Sequence, residues 1–414
     1  MASKKAIVVG GSMAGLFAAN LLYRGGWEVL VLERSKTPLL GRGAGIVTHQ
    51  GLLYALSKAG AMIDDGLGVE IHQRLAIDRH GRRLAYREFS QVLTSWSRLL
   101  GTLKTALPDR LYRLGEEVVD IEPGDETTPA RVVLADGRSL NADLVVAADG
   151  LKSMIRRQMG VPFHQTYAGY VAWRAVTNVS ALTASSRELM ENTFLFSQYP
   201  GEQILAYPIT SPFSATQIQV NLVWYRRTGR AALDELLTDQ EGNLHAEGIP
   251  PHRIDPSQTA KMRKDAGQLF HGAWAEHLQQ AESIILQPIF DSEVDSMAKG
   301  RLALVGDAAF VARPHVGQGV TKAAGDALCL VEALENCDSE AIPRRLWQFS
   351  DRRLKVGRMA VNHARRMGAP VMISPLIPDG RYWEQYYSEP ENLVRDTAVE
   401  LEGVVDTIPR HQTV

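Results

Sequence analysis

Residues 4–33 read KKAIVVGGSMAGLFAANLLYRGGWEVLVLE. The apolar run up to Val9 has no polar alternation, which is how a strand buried on both faces reads. A glycine turn, Gly10-Gly11-Ser12-Met13-Ala14-Gly15, follows it, and then apolar residues recur at helical spacing up to the Gly25-Gly26 stop. WEVLVLE is a second buried strand that ends at Glu33. Strand, glycine turn, helix and strand in this order make the βαβ unit of a dinucleotide fold. In the usual G-x-G-x-x-G, the second glycine lets the backbone approach a pyrophosphate. Ser12 stands there instead, with a Cβ that holds the phosphate farther off and a hydroxyl able to donate to it. Glu33 ends the second strand, where a carboxylate accepts the hydroxyls of an adenosine ribose and repels a 2′-phosphate. The predicted nucleotide is therefore FAD or NAD.

Outward from this unit the chain returns twice to the same pattern. ARVVLADGRSLNADLVVAADG reads as a hairpin turning at Asp136-Gly137, followed by a buried strand that ends at Asp149-Gly150. GRLALVGDAAF is a third such strand, ending at Gly306-Asp307. Both carboxylates should face one crevice beyond the strand ends. Pro314, Gly317 and Gly319 delay the next helix, read from about Thr321 to Leu334, whose free N–H groups and positive end suit the negative charge of a reduced flavin. That third site favours FAD over NAD. Residues 71–90 and 165–225 alternate apolar and polar residues, which predicts an antiparallel sheet with one wetted face.

The predicted architecture is α/β: a Rossmann-like nucleotide domain over 1–70, 95–160 and 295–350, an inserted antiparallel-sheet domain over 71–94 and 161–294, and a C-terminal helix and extension over 351–414. The extension reads as irregular and acidic after about residue 370, with Tyr382, Trp383, Tyr386 and Tyr387 packing on the body or on a second subunit. The 414 residues carry 45 Lys plus Arg against 47 Asp plus Glu, a net charge of −2, so no basic footprint points to nucleic acid or anionic lipid. Two cysteines, Cys329 and Cys337, make no disulfide framework or metal site. With no apolar run of membrane-spanning length, the expectation is a cytoplasmic protein with a small-molecule partner.

Three signatures together resemble the class A FAD-dependent aromatic hydroxylases: Gly10–Gly15 with Glu33, Asp149-Gly150 with Arg156, and Gly306-Asp307 with Pro314, Gly317 and Gly319. The resemblance covers about residues 4–360. It implies a p-hydroxybenzoate hydroxylase-like fold, FAD as cofactor, NADH or NADPH as transient reductant, and O2 as cosubstrate. It implies oxygen transfer to an electron-rich ring through a flavin C4a-hydroperoxide. GGSMAGL, TYAGYVAWRA, LAYPI and GDAAFVARPH resemble more narrowly the subgroup acting on dihydroxypyridines. Implied FAD contacts are Gly10, Ser12, Met13, Ala14, Gly15, Glu33, Arg34, Arg42, Gly45, Arg98, Asp149, Gly150, Gly306, Asp307, Pro314, Gly317, Gly319 and Val320. The chain departs from the family at Phe310, where a His is common, and at Thr321-Lys322, where an Asn is common. The arginine expected before LLGTLKTAL is out of register, with Trp96 or Ser97 in its slot and Arg98 beside it.

The reaction needs an activated ring, so a base or anion-stabilising donor should lie near the flavin. His49, Tyr207 and His315 are the catalytic candidates, because the family places their segments around the flavin ring. Trp173, Tyr207, Trp224 and Pro314 are the substrate candidates, with Phe194 as a further stacking ring and Arg174 set either against a substrate anion or at the domain boundary. No metal is expected. A urate-like purine or a phenol is the neighbouring substrate class, a homodimer the expected assembly, and a non-catalytic flavin or nucleotide redox sensor the reading from a different functional class.

Overall fold

The computed structural model describes residues 3–39, 45–211, 214, 217–246, 248–281 and 283–405. Its first sheet has six strands in the order Ala298–Lys299, Leu302–Leu304, Leu144–Ala147, Lys5–Val9, Glu28–Glu33 and Tyr112–Leu114. All neighbours are parallel except the first pair. Val8 stands between Val31 and Val146, all three buried, as their unbroken apolar runs require. The chain leaves the Lys5–Val9 strand toward one side and returns later on the other, so the strand order reverses there and opens a crevice beyond Val9. Helices Met13–Arg24 and Gly319–Ala333 pack together beside this sheet. The long helix Ile342–Met367 covers the second of them with Leu346, Phe349, Arg353, Gly357, Ala360 and Ala364, one buried face at helical spacing.

The second sheet has eight strands: Ser283–Val294, Phe163–Asn178, Ile218–Arg227, Glu202–Thr210, Thr193–Tyr199, Val69–Ile77, Arg83–Ser95 and Gly45–Val47. Only the Thr193–Tyr199 and Val69–Ile77 pair runs parallel. The expected wetted face is absent from its inner strands, and both faces are covered. Trp173, Ala175, Ile204, Ala206, Leu222 and Trp224 pack with Phe270, which caps the Pro256–Leu269 helix, and with Trp274 of the Gly272–Gln280 helix. Ala172, Phe194, Leu205, Tyr207, Val223 and Tyr225 cluster on the opposite face. Polar residues on this second face are used internally: Gln203 Oε1 meets His315 at 2.8 Å and Asn221 Oδ1 accepts from the Gly45 N–H at 3.1 Å.

A three-stranded sheet, Val118–Glu122, Ala130–Leu134 and Ser139–Ala142, holds the predicted hairpin, with Gly137 in the left-handed region. The C-terminal stretch is helical rather than irregular, with Gly380–Ser388 and Pro390–Asp396. Its Trp383 ring lies 4.8 Å from the Arg366 guanidinium, and the Tyr387 carbonyl accepts from Gln198, so the aromatic cluster packs on the body of its own chain. Among the described residues no helix is long and apolar enough to cross a membrane.

Candidate active site

The crevice beyond Val9 is a groove of two chambers that share Ser12, Trp96, Ala148 and Gly150. The outer chamber, about 660 Å³, is lined by Gly10, Glu33, Arg34, Asp149 and Met154 among others. The inner one, about 420 Å³, lies between the Asp307–Val320 stretch and the second sheet.

In the outer chamber Gly10 has φ 103, and a Cβ there would strike the Ala148 carbonyl. At Gly15 a Cβ would strike the Gly10 carbonyl, so this glycine serves helix–strand packing and lines neither chamber. Glu33 accepts from the Gly11 N–H at 2.8 Å and the Ser35 N–H at 2.9 Å. Ser12 caps the Met13–Arg24 helix by position, yet its side chain makes no capping bond, which leaves the hydroxyl and the helix end to a phosphate. Asp149 Oδ2 accepts from Met154 and Ile155 N–H, while its Oδ1 is buried without a partner. These are the features a bound adenosine diphosphate half would complete.

Toward the inner chamber the two aspartate turns are tied together by Arg156, which donates to the carbonyls of Leu151 at 2.7 Å and Ala308 at 2.8 Å. Asp307 lies deep in the molecule but its side chain opens on the cavity; the surrounding protein pushes its carboxyl up against the opposing pull of Lys322. Lys322 donates to the Gly306 carbonyl at 3.0 Å and to Asp326 at 3.3 Å, and Asp326 accepts from the Gly306 N–H and from Arg353. The departure at Lys322 is thus a buried brace behind the Gly-Asp turn. Phe310, the other departure, is buried against Gly357 rather than facing the cavity. Gly319 and Val320 begin a 15-residue helix with no acidic residue in its first turn and no side-chain cap, so free N–H groups and a positive end face the cavity.

Met13, Ala14, Gly45, Asp307, Pro314, Gly317, Gly319 and Val320 line the inner chamber, and Arg34 the outer. Gly306 packs against Ala14 and lines neither. Arg98 lies 3.9 Å from Asp64 and also lines neither, whereas Trp96 lines both. Arg42, with Gly43, lies outside the described residues.

The wall opposite the helix end is the second sheet: Arg174, Phe194, Leu205, Tyr207, Val223, Tyr225 and Gln287. Burial pushes the Tyr207 phenol up to about 12, opposed by the charge of Arg174. Trp173 and Trp224 are not in this wall. They oppose each other across two strands and face the helix pair, where Trp224 Nε1 donates to Glu202 at 2.6 Å. A strand sends successive side chains to opposite faces, so the cavity receives Arg174 and Tyr225 instead.

Neither histidine is available as a base. His49 lines neither chamber; its ring bonds Thr321 Oγ1 at 2.8 Å and the Ala398 carbonyl at 3.2 Å, and burial pushes it down to about 4. His315 lines the cavity but meets Tyr170 Oη and Gln203 Oε1, both at 2.8 Å, and burial, then the Arg313 charge, pushes it down to about 3. Gln203 Nε2 donates to Gln198, so its Oε1 accepts from His315 Nδ1–H and Nε2 accepts from Tyr170. Gln287, Gln318, Thr397 and Ala398 also line the cavity, and none stands out in the sequence. Only Tyr225, one strand position beyond Trp224, had a findable signal in the alternation.

Groove, glycine turn and twin aspartate turns make up a site of the kind that holds FAD. The "FAD binding domain-like" family model matches residues 167–291. The chain is 29% identical over 369 residues to 2,6-dihydroxypyridine 3-monooxygenase of Paenarthrobacter nicotinovorans, covering 87% of this chain and 90% of that protein. It is 26% identical to 6-hydroxynicotinate 3-monooxygenase of Pseudomonas fluorescens, covering 80% and 83%. The solved 2,6-dihydroxypyridine-3-hydroxylase from Arthrobacter nicotinovorans superposes with a TM-score of 0.82 at 28% identity, over 92% of this chain and 96% of that one. HpxO of Klebsiella pneumoniae, complexed with FAD and uric acid, shares the fold with a TM-score of 0.74 at 20% identity, over 95% and 93%. Over most of its length the chain is similar to FAD-dependent aromatic monooxygenases. FAD, when bound, supplies oxygen activation and transfer; the outer chamber suits its adenosine and the helix end at Gly319 the electron-rich edge of its ring.

Proposed function

We propose that this chain hydroxylates a small N-heteroaromatic ring that already carries a hydroxyl, of the dihydroxypyridine class, with NADH or NADPH as a transient reductant. The observation that carries this reading is the inner chamber itself: a helix N-terminus and Pro314 on one side, and the aromatic wall of Phe194, Tyr207 and Tyr225 with Arg174 on the other. A ring held between them stacks on aromatic faces and is screened from water. Tyr207, kept protonated by burial, donates a hydrogen bond to a ring oxygen. The relatives named for dihydroxypyridine and hydroxynicotinate support the same substrate class.

The test is NAD(P)H oxidation by the yellow holoenzyme with and without 2,6-dihydroxypyridine, 6-hydroxynicotinate, urate and phenol. Acceleration by a hydroxypyridine, with a product heavier by one oxygen atom, is expected. Acceleration by urate or phenol alone moves the substrate class, and ligand-independent reduction with no hydroxylated product overturns the reading in favour of a sensor.

A further inference from the structure

Arg174 stands on the Phe163–Asn178 strand opposite Val223 on one side and Ile285 on the other, and lines the inner chamber beside Tyr207, Tyr225 and Gln287. Other buried cations nearby have counterions: Arg313 and Arg365 share Asp291, and Lys322 and Arg353 share Asp326. Among the described residues Arg174 has no carboxylate within ion-pair distance, and its Nε is buried without a hydrogen-bond partner. Arg174 is half-buried and lines the chamber, so an anion entering there meets a guanidinium whose charge no protein carboxylate already pairs.

Among the described residues, the sheet wall that carries Arg174 holds no base that would make that anion from a neutral ring. Both nitrogens of His49 and of His315 are engaged within the protein. Tyr207 and Tyr225 are phenols that burial keeps protonated. Asp307 opens on the cavity from the nucleotide-fold side, where FAD would lie, rather than from the sheet wall that carries Arg174.

Resting on the function proposed above, we infer that Arg174 anchors the substrate as a planar ring monoanion, with the negative oxygen in the ring plane against the guanidinium fork. The ring hydroxyl loses its proton to bulk water before entry, so no protein group takes it, and the electron pair left on oxygen raises the density of the ring carbon that is oxygenated. Ring oxyanions and ring carboxylates both offer an in-plane negative oxygen to such a fork. Specificity for rings acidic enough to ionise near neutrality then comes from the enzyme's electrostatics rather than from proton abstraction.

The test titrates holoenzyme, read by the visible flavin absorption, with 2,6-dihydroxypyridine for the oxyanion, 6-hydroxynicotinate for the carboxylate and 2-methoxypyridine for a ring that carries neither. Arg174→Met is expected to weaken binding of the anions about 10- to 100-fold, Arg174→Lys less, with 2-methoxypyridine unchanged. Wild-type affinity for the dihydroxypyridine rises with pH through the ring's own ionisation, and that rise vanishes in Arg174→Met. A loss confined to one anion assigns the anchor to that oxygen type. Anion binding unaltered in Arg174→Met, or a wild type that prefers the neutral ring, overturns the inference. Should Arg174→Met fail to hold flavin, Arg174→Lys decides: wild-type affinity for both anions counts against the anchor. Arg174-dependent anion binding without hydroxylation leaves the anchor and removes the proposed function, whereas hydroxylation with unchanged KM in Arg174→Met does the reverse.

Discussion

A Cβ on Gly317 would stand 2.7 Å from the Cβ of Ala398. Gly317 has φ 61 just before the helix that faces the cavity, and Ala398 is itself held at φ 52. Around Ala398 the last described stretch is strapped down by buried side chains. Arg74 donates to the Val394 and Thr397 carbonyls, Gln91 to that of Ala398 and Gln318 to that of Val399, while the Ala398 N–H donates to the His315 carbonyl.

Thr397 and Ala398 line the inner chamber, so this strap is a wall of the site. Gly317→Ala adds a left-handed strain and pushes the strap outward. It should cost about 1–3 kcal/mol in urea unfolding and lower the flavin-to-protein absorbance ratio. Ala398→Gly removes a strained β-carbon and should not lower the melting temperature. Wild-type stability and flavin content in Gly317→Ala would show that the strap is not packed there.

Three buried histidines, His49, His277 and His315, set a pH dependence of stability. Each is pushed well below 6.5 in the folded chain, so the unfolded chain binds the proton first as pH falls. Their contribution is complete above about pH 6.5 and is lost as pH falls toward 4, at about 1.4 kcal/mol per pH unit for each group. The urea unfolding midpoint should fall accordingly between pH 6.5 and 5, and His49→Gln with His315→Gln should reduce that fall, leaving the part due to His277. Because His49 is fixed to Thr321 and the strap, His49→Ala should reduce stability and flavin content together rather than hydroxylation alone.

The glycine turn was legible because backbone geometry dictates it, at Gly10 and Gly15, and Glu33 because a ribose-binding carboxylate belongs at that strand end. The sheet wall was half legible. Alternation in 217–225 shows that Trp224 and Tyr225 point opposite ways, but which face meets the cavity depends on where the Pro256–Leu269 and Gly272–Gln280 helices pack, a long-range choice. The histidines misled for a related reason. Proximity in sequence to flavin-facing loops says nothing of the partners, Thr321, Ala398, Tyr170 and Gln203, that come from distant segments and consume both ring nitrogens.

That choice of face separates two neighbouring variants. Trp224→Phe removes the donor to Glu202, a carboxyl that burial pushes up to about 7, and should cost about 1–3 kcal/mol of stability with KM changed less than about twofold. Tyr207→Phe should leave stability and flavin content nearly intact and lower turnover about tenfold, the worth of one hydrogen bond to the ring. The reverse pattern in steady-state kinetics and melting would place the substrate on the other face of the sheet.

Ser12 offers the cleanest test of the nucleotide end. Its hydroxyl makes no cap bond to the Met13–Arg24 helix, so removing it takes nothing from the empty protein. Ser12→Ala should leave apoprotein melting within about 0.5 kcal/mol of wild type, yet weaken FAD reconstitution about 3- to 10-fold, because a phosphate would lose one donor. Glu33→Gln differs in kind. Both carboxylate oxygens already accept backbone N–H groups, from Gly11 and Ser35, and an amide NH2 in place of one oxygen sets donor against donor. Apoprotein stability should then fall by about 1–3 kcal/mol along with FAD affinity. If Ser12→Ala binds FAD as wild type does while Glu33→Gln loses it, the phosphate is held by the helix end and backbone alone, and the serine in the glycine turn is a tolerated replacement rather than a contact.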